Sequence, residues 1–156
     1  MLVFEDSPAK YTPRVADFGY STQYAAPSDL VQMPMSRPWV APEWHHRGVT
    51  PKQAMKMDAF SFGMLVLWVL SYGKQKDLDR HFANLSRASG ALFLARHICE
   101  SAPMDSFKDL VEFFNATLTD DVTRRSPDFN HLLCLLTSKK YKLSSSLFII
   151  ILSKYI

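Results

Sequence analysis

Between Asp58 and Ser71 the sequence has no polar face. Phe60, Phe62, Met64, Leu65, Val66, Leu67, Trp68 and Leu70 fall on every side of a helix. A helix that is apolar all round must be enclosed by other elements, so this segment predicts a central buried helix headed by Asp58 and closed by Gly73. The rest of the chain has to wrap it. Further helices are predicted at Asp77–Arg87, Ala91–Cys99, Ser106–Leu118 and Pro127–Leu136, with Phe107, Leu110, Val111 and Phe114 recurring at helical spacing. The 156 residues, 47% of them hydrophobic, suffice for one domain with a sizeable core. A membrane-spanning helix needs about 20 apolar residues. Met64–Leu70, bracketed by Ser61, Gly63 and Ser71, falls short, as does Leu147–Leu152. No membrane partner is expected.

The stretch before this helix is organised differently. Leu2–Phe4 reads as a strand ending at Glu5-Asp-Ser-Pro8, and Tyr11–Ala16 as a second strand whose Pro13 suits an edge. Gly19 to Trp39 shows no sustained period and contains Pro27, Pro34 and Pro38. Loops beyond about 12–15 residues are generally functional or disordered. Pro42–Arg47 fits a short helical turn, with Gly48 just past its end.

The net charge of +3 is too small to argue for a nucleic-acid or membrane partner. Lys139, Lys140 and Lys142 form the one basic cluster, read as a solvated tail. Two cysteines make no disulfide framework and suit a reducing, cytoplasmic compartment. Met1 to Asp6 carries no secretory-signal pattern. His97-x-Cys99 and His131-x-x-Cys134 have spacings zinc can use, but their apolar neighbours favour core or boundary packing. Adjacent His45 and His46 would not share a helix face. In the tail, Leu147–Leu152 follows Ser144-Ser-Ser146 as a β-prone window without charge, an aggregation hazard if exposed.

Four short motifs punctuate the chain. Ala16-Asp-Phe-Gly19 opens the long loop and Ala41-Pro-Glu43 closes it. Asp58-Ala-Phe-Ser-Phe-Gly63 heads the buried helix, and Asp121-Val-Thr-Arg-Arg125-Ser-Pro-Asp-Phe129 precedes the last one. In this order and at these separations, they resemble the protein kinases from about Leu2 to Leu136. The resemblance implies a mainly α fold: a kinase-like carboxy-terminal lobe, a helical bundle around a buried central helix with a short N-terminal β element. Residues 1–136 would be this partial kinase domain and 137–156 a tail without an assigned role.

The family's roles fall on matching positions. Asp17 resembles the aspartate that holds Mg²⁺ against the phosphates of ATP, a hard-oxygen task; the plainer reading is a carboxylate capping a strand-to-loop turn. With Phe18 and Gly19 it would make the cofactor-binding motif. Phe18 would pack into the core and Gly19 would supply a permissive backbone. Glu43 resembles the glutamate of a buried ion pair whose arginine is Arg125, with Arg124 a solvated neighbour. Asp58 resembles the aspartate that accepts hydrogen bonds from the catalytic-loop backbone, and an ordinary helix N-cap is the competing reading. Arg37, Pro38, Trp39 and Val40 look like the substrate-docking loop, with Trp39 resembling the tyrosine kinases and the tyrosine-kinase-like serine/threonine group. Ser21, Thr22, Tyr24, Ser28 and Ser36 are candidate phosphorylation sites, or plain exposed hydroxyls.

The family's His-Arg-Asp catalytic loop, glycine-rich loop and phosphate-pairing lysine have no counterpart in the 156 residues. The catalytic base is expected upstream of Met1, and the chain as given is expected to bind ATP poorly and transfer nothing. Two functions follow. One is a protein kinase acting on a Ser/Thr or Tyr hydroxyl of a protein substrate, represented by an incomplete chain. The other is a non-catalytic, pseudokinase-like module that binds a regulatory protein through an exposed groove.

Overall fold

Thr50-Pro-Lys-Gln53 starts the central helix about two turns before Asp58. The Thr50 N–H donates to Gln53 Oε1 (2.9 Å) and the Gln53 N–H to Thr50 Oγ1 (3.4 Å), a reciprocal capping box. Pro51 occupies the first helical position, where its missing N–H costs nothing. The resulting helix α1, Pro51–Ser71, therefore contains Asp58 instead of beginning at it, and the N-cap reading of Asp58 is overturned.

The computed structural model describes residues 2–7, 10–14, 18–71, 90–101 and 110–137, with the backbone alone at 2–14, 101 and 137. Helices α2 (Gly90–Ser101), α3 (Leu110–Thr117) and α4 (Phe129–Thr137) follow α1. The predicted helix Asp77–Arg87, the start of Ser106–Leu118 and the tail with its lysines and Leu147–Leu152 lie outside the described residues. The fold is mainly helical. At the N-terminus, β1 (Leu2–Ser7) pairs antiparallel with β2 (Lys10–Arg14), placing Val3 opposite Pro13. A two-stranded ladder leaves each strand an outer edge, where proline is tolerated.

The core forms where α1 meets α3. Phe60, Met64, Val66 and Leu67 of α1 are buried with Leu110, Phe113 and Phe114 of α3, Ala91, Ala95 and Cys99 of α2, and Leu132 of α4. Phe62 meets Phe113 edge-on (5.6 Å between centroids) and Phe129 at 5.8 Å, so one α1 ring bridges α3 and α4. By length and hydropathy alone, the 21-residue α1 passes the test for crossing a membrane, contrary to the shorter count made from Met64–Leu70; most of that stretch is buried inside the bundle. Burial of Cys99 raises its thiol pKa to about 11, whereas His97, His131 and Cys134 are exposed. Core packing thus holds for Cys99 only. Among the described residues no cluster of three or more metal-binding side chains forms.

Gly63 sets how closely α1 and α3 approach. A Cβ there would lie 2.5 Å from Thr117 Oγ1, 2.7 Å from Thr117 Cβ and 2.8 Å from Leu118 Cδ2. Thr117 cannot swing aside freely, because its hydroxyl donates to the Phe113 carbonyl (2.9 Å). Gly63→Ala gains about 1 kcal/mol in helix propensity and loses about 1–3 kcal/mol to overpacking. We expect the loss to win, lowering the urea midpoint without altering helix content. Gly63→Ala paired with Thr117→Ala, which removes the nearest atom, Oγ1, should recover part of it.

Candidate functional site

The long loop is tied down at a few separated points. Val31 and Val49, both buried, exchange backbone hydrogen bonds (2.8 and 3.0 Å), an isolated bridge that draws the middle of the loop beside the residues preceding α1. Gly48 adopts φ 91°, and a Cβ there would come to 3.0 Å from the Val31 carbonyl, so the bridge needs glycine next to it. The expected helical turn at Pro42–Arg47 is instead two successive tight turns: Trp44 N–H bonds the Ala41 carbonyl, and Gly48 N–H that of His45. Asp29 folds a smaller turn by accepting from the Ala25 and Ala26 N–H groups (2.9 and 2.8 Å).

The docking-loop segment rests on α1. Ser61 Oγ donates to the Trp39 carbonyl (2.8 Å), and the Trp39 ring meets Trp68 edge-on at 6.3 Å. Trp44 Nε1 donates to the Met33 carbonyl (2.8 Å), and the Val40 N–H to Ser36 (2.9 Å). Pro38, Trp39 and Val40 are half-buried, while Arg37 and Ser36 are exposed. Ser21, Thr22, Tyr24 and Ser28 are exposed as well, each reachable by a modifying enzyme.

Glu43 and Arg125, 82 residues apart, meet as an ion pair through Oε1 and Nη1. The Arg125 side chain is fully buried. Its Nη2 donates to the Thr119 carbonyl (2.8 Å), its Nη1 also to that of Lys56 (3.3 Å), and its guanidinium lies 5.0 Å from the centre of the Phe60 ring. Arg125 Nε and Glu43 Oε2 find no partner among the described residues. Lys56 Nζ donates to the Val122 carbonyl (2.6 Å), so α1 grips the turn preceding α4 from a second side.

The motif at the loop's start is arranged otherwise. Asp17 lies outside the described residues. Phe18–Tyr20 form a 3-10 turn in which Phe18 is 69% exposed. The expectation that Phe18 packs into the core fails, because the described residues enclose no apolar site around it. Across from this turn, Pro51, Ala54, Met55 and Asp58 share one face of α1 and line an open groove of about 410 Å³ with Phe18, Tyr20 and Tyr24. Asp58 is exposed at this groove, yet its apolar walls remove enough water to raise its carboxyl pKa. Nothing in the sequence marked the groove face, since it depends on the two extra turns of α1.

If the ion pair carries the load that its burial implies, Glu43→Ala should destabilise the fold by about 3–5 kcal/mol. Arg124→Ala, at an exposed position, should change it little. Denaturant midpoints for both variants test this, and equal small shifts would contradict it. The two perturbed aspartates give opposite pH signatures. Folded Asp58 binds its proton more tightly than the unfolded chain does, so its ionised form opposes folding above the raised pKa. Asp58→Asn should therefore raise the midpoint at pH 7, and the gain should vanish as pH falls below the ordinary carboxylate range. The pKa of Asp121 is lowered, first by the Thr123 hydroxyl (2.6 Å) and then by the Thr123 N–H (2.9 Å). Its contribution is present above the usual carboxylate pKa and lost as pH falls through the lowered one, so Asp121→Asn should cost stability at pH 7 and none in strong acid.

No curated protein and no solved structure matches the chain. The family model for "protein tyrosine and serine/threonine kinase" does, over residues 3–136. That span takes in the hairpin, the anchored loop, the ion pair and all four helices up to Leu136. The anchored loop, the glutamate at its end and the arginine before the last helix thus belong to one matched span, and the chain is a member of the protein tyrosine and serine/threonine kinase family.

Proposed function

We propose that this chain supplies the substrate-side platform of a protein kinase, which moves the terminal phosphoryl group of ATP to a hydroxyl on a protein. The observation that carries this reading is the closure of the long loop. Glu43 at its end is clamped to Arg125, and Trp39 is held against α1 through Ser61, which together present Arg37–Val40 on a rigid base. Phosphoryl transfer depends on positioning and on stabilising charge as it develops. A docking loop fixed on a buried helix serves the first of these. Asp17 is the proposed Mg²⁺ ligand, with Phe18 and Gly19 beside it, and carboxylate oxygen is the donor that a hard divalent cation takes. When bound, ATP and Mg²⁺ supply the phosphoryl group and its charge neutralisation. Exposed Ser21, Thr22, Tyr24, Ser28 and Ser36 are proposed as sites where a phosphate would reset the loop. Two free cysteines support a reducing, cytoplasmic setting.

A non-catalytic module is favoured by a specific observation too. Phe18, Tyr20, Tyr24, Leu30 and Met35 all expose large apolar surface on the loop side of the molecule, a composition suited to holding a protein partner. The two readings part in a single assay. The 156 residues contain no His-Arg-Asp sequence, so the purified chain should transfer no phosphate from ATP to a generic peptide. Transfer that is Mg²⁺-dependent and abolished by Asp17→Asn would overturn this expectation. ATP binding weakened by the same substitution, without transfer, would support the kinase platform over the binding module.

A further inference from the structure

Helix α4 gives only part of its apolar surface to the core. Leu132 and Leu136 are buried, while Phe129 (38% exposed) and Leu133 (47% exposed), one turn apart, keep large apolar surface outside. The Phe129 ring also bears on Phe62 of α1, at 5.8 Å between centroids, so whatever lies on this stripe extends the core. The N-terminal end of the helix is acidic. Asp128, whose carboxylate accepts from the Asn130 and His131 N–H groups (2.9 and 3.3 Å), is exposed, as are Asp120 and Asp121 in the segment leading to it.

The sequence after α4 complements this pattern. Residues 138–146 connect the helix to Leu147-Phe-Ile-Ile-Ile-Leu152, an apolar stretch without a charge. Fully extended, that connection spans about 30 Å, against about 14 Å for α4 itself. It is long enough to turn back. It is also short enough to hold the apolar stretch near α4 at an effective concentration of the order of mM. A returning chain runs from the C-terminal end of α4 towards its N-terminal end, and the charges agree with that direction. Lys139, Lys140 and Lys142 stay beside the helix C-terminus, where the dipole favours cations. Lys154, just past the apolar stretch, arrives at Asp128, Asp121 and Asp120. We propose that Leu147–Leu152 covers the Phe129–Leu133 stripe of its own α4, with Lys154 set against the acidic residues at the start of that helix. The inference does not rest on catalysis: a chain that transfers no phosphate folds its tail back equally well.

The test is hydrogen–deuterium exchange of the full 156-residue chain, read by mass spectrometry in dilute solution. Amides of 147–152 should exchange at least about tenfold more slowly than in a free peptide of the same sequence, because docked backbone must open before it exchanges. Leu133→Asn should remove most of that protection, and Lys154→Glu should reduce it. Leu30→Asn, at an exposed loop position away from α4, should leave it intact. Conversely, Ile150→Asp, which leaves α4 itself unaltered, should speed exchange at 130–137. Thermal melts establish that each variant is folded, and the Ile150→Asp arm decides the matter if Leu133→Asn is not. Absence of protection at 147–152 would overturn the proposal. So would protection that survives in folded Leu133→Asn, or unchanged exchange at 130–137 in Ile150→Asp. Protection lost in Leu30→Asn instead would place the segment on the loop side, and protection lost on dilution would assign the contact to a second copy; either result overturns the proposal.

Discussion

The buried guanidinium of Arg125 is the constraint on which the other parts depend. A cation without water must be surrounded by acceptors, and the chain assembles them from distant places. Glu43 comes from the end of the long loop, the Lys56 carbonyl from α1, and the Thr119 carbonyl from the turn after α3. The Phe60 ring takes one face of the guanidinium. Each acceptor is worth something only if the others are in place, because a half-satisfied buried charge costs several kcal/mol. The arginine therefore makes loop closure and helix packing a single event. This role does not make the pair a net source of stability, since apolar replacements of buried ion pairs are often as stable. What it supplies is uniqueness: few alternative loop paths would bring a carboxylate to that point.

Close contact between α1 and α3 is the second condition. Gly63 lets the helices approach until Thr117 and Leu118 touch the α1 backbone region, which sets the position of the Thr119 carbonyl one residue further on. Helix approach and arginine solvation are thus coupled through a three-residue stretch. The Lys56 ammonium acts three residues further along by holding Val122. From these contacts α1 acquires two functions along its length. Its latter part is core, and in its first two turns one face, Pro51, Ala54, Met55 and Asp58, walls the groove.

How much of this was legible in the sequence follows from the range of each interaction. The buried character of Phe60–Leu70 is written locally, in apolar residues on every helical face, and α1 is buried there. Positions of α2 and α4 were likewise readable to within a few residues. The start of α1 is also written locally, in Thr50-Pro-Lys-Gln53, but Asp58 suits a cap equally well. Only tertiary context decides between two adequate start signals. The exposure of Phe18 was not readable at all, since an aromatic beside a glycine carries no mark of whether anything will cover it. The same holds for His131 and Cys134, whose apolar neighbours Leu132 and Leu136 take the buried face and leave them outside.

The loop shows why motif reading and physical reading need each other. A stretch as long as Gly19–Trp39, with three prolines, has no periodic code, so local propensity alone would assign it to disorder. What gives it a shape are contacts made at its middle and far end: the Val31–Val49 bridge, the Trp39 carbonyl on Ser61, and Glu43 on Arg125. Closing so long a loop costs entropy that grows only slowly with its length, roughly 0.6 kcal/mol per doubling. A few good anchors are enough. Between them the backbone stays on the surface with its hydroxyls exposed. The packed part of the molecule and its surface loop are therefore joined at the anchors, and Arg125, buried beneath one of them, belongs to the packed side.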